Sequence, residues 1–232
     1  MRARLIAGLI ASIGALLATD APAQVIVFDT SQSPFLSGWN NSGWWSETQI
    51  PTSDNYFTGN SSVYGVPHEH RSYFTFDLAT LTEVALSATL EVARYDYVSS
   101  APYETIGLFE VSTSPADLHV HKQTSASIFL DLGSGRSYGT SVVSSGGQPN
   151  DVLSFPLNAD AVSDINAAHG GFFSIGGALL TLDGTIGDSG SEAIFSSSGG
   201  GGPQRLILQV PEPATITLLA FGGLALIRRR RM

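Results

Sequence analysis

The chain contains no cysteine. Disulfide scaffolds, thiolate zinc sites and cysteine nucleophiles are therefore excluded, and any folded domain must rest on its own hydrophobic core or on a metal. Lysine is nearly as scarce, with Lys122 the single example. Long amphipathic periodicity is also missing, which leaves a helical bundle without a basis in the sequence. Between residues 24 and 209, five basic side chains (Arg71, Arg94, Lys122, Arg136 and Arg205) stand against eighteen acidic ones, a net charge of −13. Such a surface has too few cations to meet nucleic-acid phosphates, so nucleic acid is not an expected partner. It suits a soluble exported protein, or one that meets neutral polymers or divalent cations.

Glycine, serine and threonine fill the middle of the chain, and its apolar signals are short, alternating and divided by turn residues. Strands are predicted at 25–30, 71–78, 88–98, 105–112, 141–145, 152–157, 171–182, 192–197 and 205–210. Within 88–98, Leu90, Val92 and Arg94 fall on one face. The expected fold is all-β, one antiparallel sandwich of jelly-roll type over residues 24–209. At that length the core is large enough to do without disulfides. One short helix is predicted in 157–171, with Asn158 as N-cap, Ala161, Val162 and Ile165 at helical spacing, and Gly170-Gly171 at the stop.

Both ends read as addresses. Arg2 and Arg4 precede the apolar stretch 5–18, and Ala21-Pro22-Ala23 offers the small residues of a cleavage site. Residues 1–23 are thus expected to be a helical export signal removed by signal peptidase, with Gln24 first in the mature chain; the stretch is short for an uncleaved anchor. At the other end, Val210-Pro211-Glu212-Pro213 stops the last strand, because proline offers no ladder donor and restricts the residue before it. Ala214–Ile227 then forms a second apolar run, about 21 Å long as a helix. A hydrocarbon core of about 30 Å makes this a marginal span. Arg228, Arg229, Arg230 and Arg231 would stay on the cytoplasmic side. The tail is expected to hold the chain only for a time.

The order of residues 210–232 (Val-Pro-Glu-Pro, short apolar run, arginine cluster) resembles the PEP-CTERM sorting signal of Gram-negative bacteria that make exopolysaccharide. The resemblance implies processing by an exosortase-type membrane enzyme near the Pro-Glu-Pro motif, a transient stay in the inner membrane, and delivery to the cell surface or extracellular matrix. More loosely, NYFTG at 55–59, RSYFTFDL at 71–78, DLGSGRSYG at 131–139 and GGFFSIGGAL at 170–179 resemble ectodomains that precede such tails. That likeness implies a shared fold and transfers no catalytic residue.

Three clusters are candidate sites. Trp39, Trp44 and Trp45, with Tyr56 nearby, could form an aromatic platform for sugar rings, or pack within the sandwich instead. His68 with His70 and His119 with His121 form two His-x-His pairs, each able to present two imidazoles from one strand face to a metal. Asp183, Asp188 and Glu192 sit in a glycine-rich loop that could offer oxygens to calcium, the one cofactor considered. Against the two metal readings stands the plain one of a solvated edge or turn. For catalysis, no G-x-S-x-G nucleophile elbow, P-loop or dinucleotide fingerprint is read, and the carboxylates mark no particular pair. The expected function is that of a non-catalytic surface or matrix protein, with exopolysaccharide a candidate partner. A carbohydrate-binding module is the alternative, and a secreted hydrolase the third reading.

Overall fold

The computed structural model describes residues 23–50, 55–63, 66–120, 123–183, 191–196 and 204–212. Most of the signal region and the tail beyond Glu212, including Pro213 and Arg228 to Arg231, lie outside them. Among the described residues there are eleven strands: β1 Ala23–Asp29, β2 Ser42–Trp45, β3 Phe57–Val63, β4 Val66–Asp77, β5 Ser87–Ala93, β6 Tyr103–Glu110, β7 Ser137–Ser144, β8 Val152–Pro156, β9 Phe172–Leu179, β10 Ser191–Ser196 and β11 Arg205–Pro211. Three helices accompany them: α1 Pro115–Leu118, α2 Ala126–Asp131 and α3 Ala159–Ala167.

The strands form two antiparallel sheets. The small sheet runs β1-β11-β5-β8, and the large one β10-β3-β4-β9-β6-β7, with β2 also pairing β4. If β2, β3 and β10 are set aside, eight strands remain. The small sheet then holds the first, eighth, third and sixth of them, and the large sheet the second, seventh, fourth and fifth. First and last strands lie side by side, and successive strands cross from sheet to sheet except β6 and β7, which pair within the large sheet. This is the interleaved Greek-key order of a jelly roll, as the sequence predicts.

The alternation seen in the sequence sets the register. Ala88, Leu90 and Val92 of β5 and Leu206, Leu208 and Val210 of β11 are buried on one face, with Leu206 opposite Leu90. They meet Phe74, Phe76, Ile106, Leu108, Phe173 and Ile175 from the large sheet in the main core. Each such valine, leucine, isoleucine or phenylalanine contributes roughly 1.5–3 kcal/mol on burial. Pro156 is tolerated because β8 is an edge strand. Asn158 caps α3, its side-chain oxygen accepting from Ala161 N at 3.1 Å. Ala161 and Ile165 of that helix enter the same core.

The outer face of the large sheet carries a second, smaller core. Trp45, Tyr73, Leu118, Phe129 and Leu132 cluster there beneath the excursion 111–136 that joins β6 to β7. The excursion is fastened at both ends. Asp131 accepts from the backbone N–H and hydroxyl groups of Ser112 and Thr113 at 2.6–3.0 Å. Burial pulls its carboxyl upward, but these four bonds outweigh that and hold it below the ordinary range. Arg71 of β4 lies 4.2 Å over the Phe129 ring and donates to the Phe129 and Leu130 carbonyls. Gly176 of β9 lets the excursion approach, since a Cβ there would stand 2.5 Å from Leu132 O.

Some expectations need correction. Eleven strands replace about nine, because β2 and the polar β3 carry no clear alternation. β4 also begins five residues before the predicted Arg71, at Val66. Helices α1 and α2 fall inside a stretch read as loop, each too short for a periodic signal. The stop at Gly170 holds: it has φ +74° and donates to Leu78 O.

Replacing Gly176 by alanine should cost about 2 kcal/mol through overpacking against the Leu132 backbone. Thermal unfolding of the variant measures it; an unchanged melting temperature would mean that the excursion is not seated as described.

Candidate functional site

The tryptophan cluster is largely core, which corrects the platform reading for three of its four residues. Trp45 points to the outer core, and its indole N–H donates to Leu118 O at 3.0 Å. Trp44, next along β2, is also buried and donates to Asn55 Oδ1 at 3.2 Å. Tyr56 packs between Phe74 and Phe195, and its hydroxyl donates to Ala93 O at 2.7 Å. Burial pushes that hydroxyl up to about 12. Stacking on a sugar needs an open ring face, and only Trp39 keeps partial exposure. Asn41, between Trp39 and Trp44, is buried as well and clamps its own loop by accepting from Phe35 N and donating to the Gln32 and Ser33 carbonyls.

The described histidines are not gathered into a metal centre. His68 and His70 share a face of β4, as two-residue spacing requires. His70, however, is 3% exposed, with Trp44 and Phe57 rings edge-on at 4.6 and 4.8 Å. Its Nε2 pairs with Gln49 Oε1 at 2.7 Å, while His68 Nδ1 pairs with Thr48 Oγ1 at 2.6 Å. His119 stacks on Phe35 at 4.8 Å and bonds Pro115 O through Nδ1 at 2.6 Å. His121 lies outside the described residues. Among those described, no group of three or more His, Asp or Glu is placed to hold a metal ion.

The acidic loop gives a different outcome. Asp188 lies outside the described residues, but Asp183 and Glu192 line a cavity of about 370 Å³ together with Ser99, Ser100, Ala101, Tyr103, Glu104 and Thr181. The fold brings these walls together at one end of the sandwich. Val98 donates to Ala193 O, fixing the β5–β6 connection to β10, and Leu180 donates to Thr105 O where β9 ends. Glu104 and Glu192 are 1% and 2% exposed. The Glu104 carboxylate accepts from the hydroxyls of Ser99 and Thr181. Burial raises the Tyr97 hydroxyl, and the Glu104 and Glu192 charges raise it further. Glu104 was missed in the sequence, although a signal is there: in YETIGLFE it takes the same alternate position as Ile106 and Leu108, a carboxylate in the register of the core.

A second hollow of about 290 Å³ is lined by Glu110, Tyr138, Asp164, Phe172 and Phe173 among others. Its polar groups serve one another. Tyr138 donates to Asp164 at 2.9 Å, and Arg136 pairs with Glu110 and Asp164 at 3.4 and 3.5 Å. One G-x-S-x-G pattern does exist beside it, Gly135-Arg136-Ser137-Tyr138-Gly139, correcting the reading that none is present. Ser137 leads into strand β7 rather than into a helix, so the sharp strand-to-helix turn of a nucleophile elbow is not formed.

The fold thus defines a jelly-roll sandwich whose last strand runs directly into the Pro-Glu-Pro segment. Residues 209–231 match the PEP-CTERM protein-sorting motif. The motif marks an exported protein that is anchored transiently, processed by an exosortase-type enzyme and sorted to the cell surface. No curated protein matches the chain. Among the described residues no helix is long and apolar enough to cross a membrane, and the predicted span Ala214–Ile227 lies outside them.

His70 makes stability depend on pH. Burial first, and the nearby His68 charge second, lower its pKa to about 4. The unfolded chain, at the ordinary value near 6.5, therefore binds more protons than the folded one between pH 6.5 and 4. Stability should fall on acidification through that window, by about 3 kcal/mol in all, and level off below it. Denaturant titrations of wild type and His70→Gln at pH 7, 5.5 and 4 check this; an equal slope in the variant would contradict the assignment.

Proposed function

We propose that the protein is a non-catalytic component of the cell surface or exopolysaccharide matrix of a Gram-negative bacterium, carried out by the signal at 1–23 and released through the tail at 210–232. The observation that supports this is where the sorting motif meets the fold. Leu206, Leu208 and Val210, the buried residues of β11, all lie upstream of Pro-Glu-Pro, whereas Pro211 is exposed. A cut at or beyond Pro211 would take nothing from the core. Removal of residues 1–23 would likewise spare Phe28, the buried residue of β1. Both addresses can therefore be cleaved from a finished sandwich.

The acidic surface fits life in a hydrated polymer matrix, where net charge keeps a protein soluble. A carbohydrate-binding module is the second reading, with the partly exposed Trp39 the one aromatic of the cluster still open to a sugar ring.

Intact-mass measurement on each cell fraction tests the proposal. The expected surface species begins at Gln24 and ends near Glu212, while Glu212→Ala shifts the chain toward an unprocessed form in the inner membrane. A stable full-length chain bearing Arg228 to Arg231 in wild-type cells would overturn it.

A further inference from the structure

We infer that β7 is an association edge, through which two copies of the chain pair antiparallel about a two-fold axis at Val142. The inference concerns the folded sandwich and stands apart from how the tail is processed.

Its first support is an open ladder. Ser145 N donates to Pro102 O at 2.9 Å, and the register then runs from Tyr103 opposite Ser144 to Gly107 opposite Thr140. Bonded and non-bonded pairs alternate in an antiparallel ladder, so Val143 and Ser141 are the residues bonded to β6. Ser144, Val142 and Thr140 therefore turn their N–H and C=O groups away from β6, and among the described residues no strand lies on that side. The start of the edge is closed, since Asn158 N donates to Tyr138 O at 2.9 Å. Each of the other sheet edges carries a guard. Val98 N donates to Ala193 O on β10, and Pro156 removes a donor from β8. On β1, Gln32 accepts from Asp29 N through its side chain and donates to Asp29 O through its backbone. From Thr140 to Ser144, β7 carries no such device.

The second support is the fit of this edge to itself. Residues 137–148 hold neither charge nor proline, in a domain of net charge −13. Repulsion opposes contact between two copies wherever their acidic faces meet, which leaves this uncharged edge as the place of approach. With the axis at Val142, Thr140 faces Ser144 of the second copy and the two Val142 residues face each other. Every outward N–H of 140, 142 and 144 then meets an outward C=O. On the outer face Val142 is 67% exposed, in one row across the sheet with Thr105 and the exposed Leu180. Tyr103, 62% exposed, stands one level along, beside Ser144. Pairing joins the two rows at the valines and covers apolar surface that one copy leaves to water. A glycan has no ladder of alternating N–H and C=O groups to offer such an edge, whereas a second copy brings its own. One edge per copy closes the assembly at two. A single strand pair is smaller than a standard interface, so the dimer is weak and reversible.

Sedimentation equilibrium on the exported, processed protein, its mass verified, tests this at concentrations up to about 1 mM. The expected result is a reversible monomer–dimer equilibrium that tightens as salt screens the acidic surfaces. Val142→Lys sets two like charges opposite each other and should weaken the dimer by at least about tenfold. Val27→Lys, at an exposed position on the β1 edge, should leave it unchanged. The natural chain has no cysteine, so Val142→Cys gives a second measurement. Mild oxidation should link it into a covalent dimer, while Val27→Cys stays largely single under the same conditions. A melting curve verifies the fold of each variant, and the cysteine pair serves alone where Val142→Lys fails to fold. The edge is overturned if wild type stays monomeric throughout, or if it forms species larger than a dimer. It is equally overturned if Val142→Lys associates like wild type, if Val27→Lys abolishes association, or if Val142→Cys links no faster than Val27→Cys.

Discussion

The structure depends on one strand pairing. β11 lies between β1 and β5 in the small sheet, bringing the end of the sandwich beside its beginning and closing the jelly roll. Without β11, the apolar faces of β1 and β5 would lose their neighbour, and the main core would lose Leu206, Leu208 and Val210. Residues from the far end of the described chain join the same closure. Gln204 N donates to Thr30 Oγ1 and Gln204 Oε1 accepts from Ala93 N, tying the entry of β11 to the ends of β1 and β5. Such pairings between distant segments form late and slowly, because loop closure must precede them. The sorting motif starts at Gln209 and so overlaps the end of β11, the last structural requirement of the sandwich.

That adjacency explains the division of labour along the sequence. The motif begins at Gln209, inside the strand, and its first proline, Pro211, is the last residue of β11. Proline removes the ladder donor and ends the sheet, so the element that stops the fold is also the element that marks the tail. Folding and sorting share a boundary, and Val210 belongs to both, as a core residue of β11 and as the first residue of Val-Pro-Glu-Pro.

Much of the fold was legible because half-buried strands announce themselves. Leu90 and Val92, or Leu206 and Leu208, alternate with polar neighbours, and Asn158 with Gly170 brackets a helix by capping chemistry alone. β2 and β3 were not legible. Ser42-Gly43-Trp44-Trp45 is buried on both faces, so it shows no alternation, and Thr58 to Ser62 is polar throughout, with the buried Thr58 donating to Ser72 at 2.7 Å. Burial of Trp45 depends on the excursion folding back over β2 and β4, a contact between segments more than seventy residues apart. The candidate site divides in the same way. Asp183 and Glu192 stood out by composition, but their partner Glu104 comes from a distant strand and belongs to no motif. Only the sheet order places Ser99, Thr181 and Glu104 at one cavity.

Hydrogen exchange on the exported protein tests the central claim most directly. If β11 is the closing strand, the amides of residues 205–210 are among the slowest to exchange, protected to the same degree as those of β5. Rapid exchange across 205–210 while β5 stays protected would show that the sandwich stands without its last strand, and the account of how fold and sorting meet would be wrong.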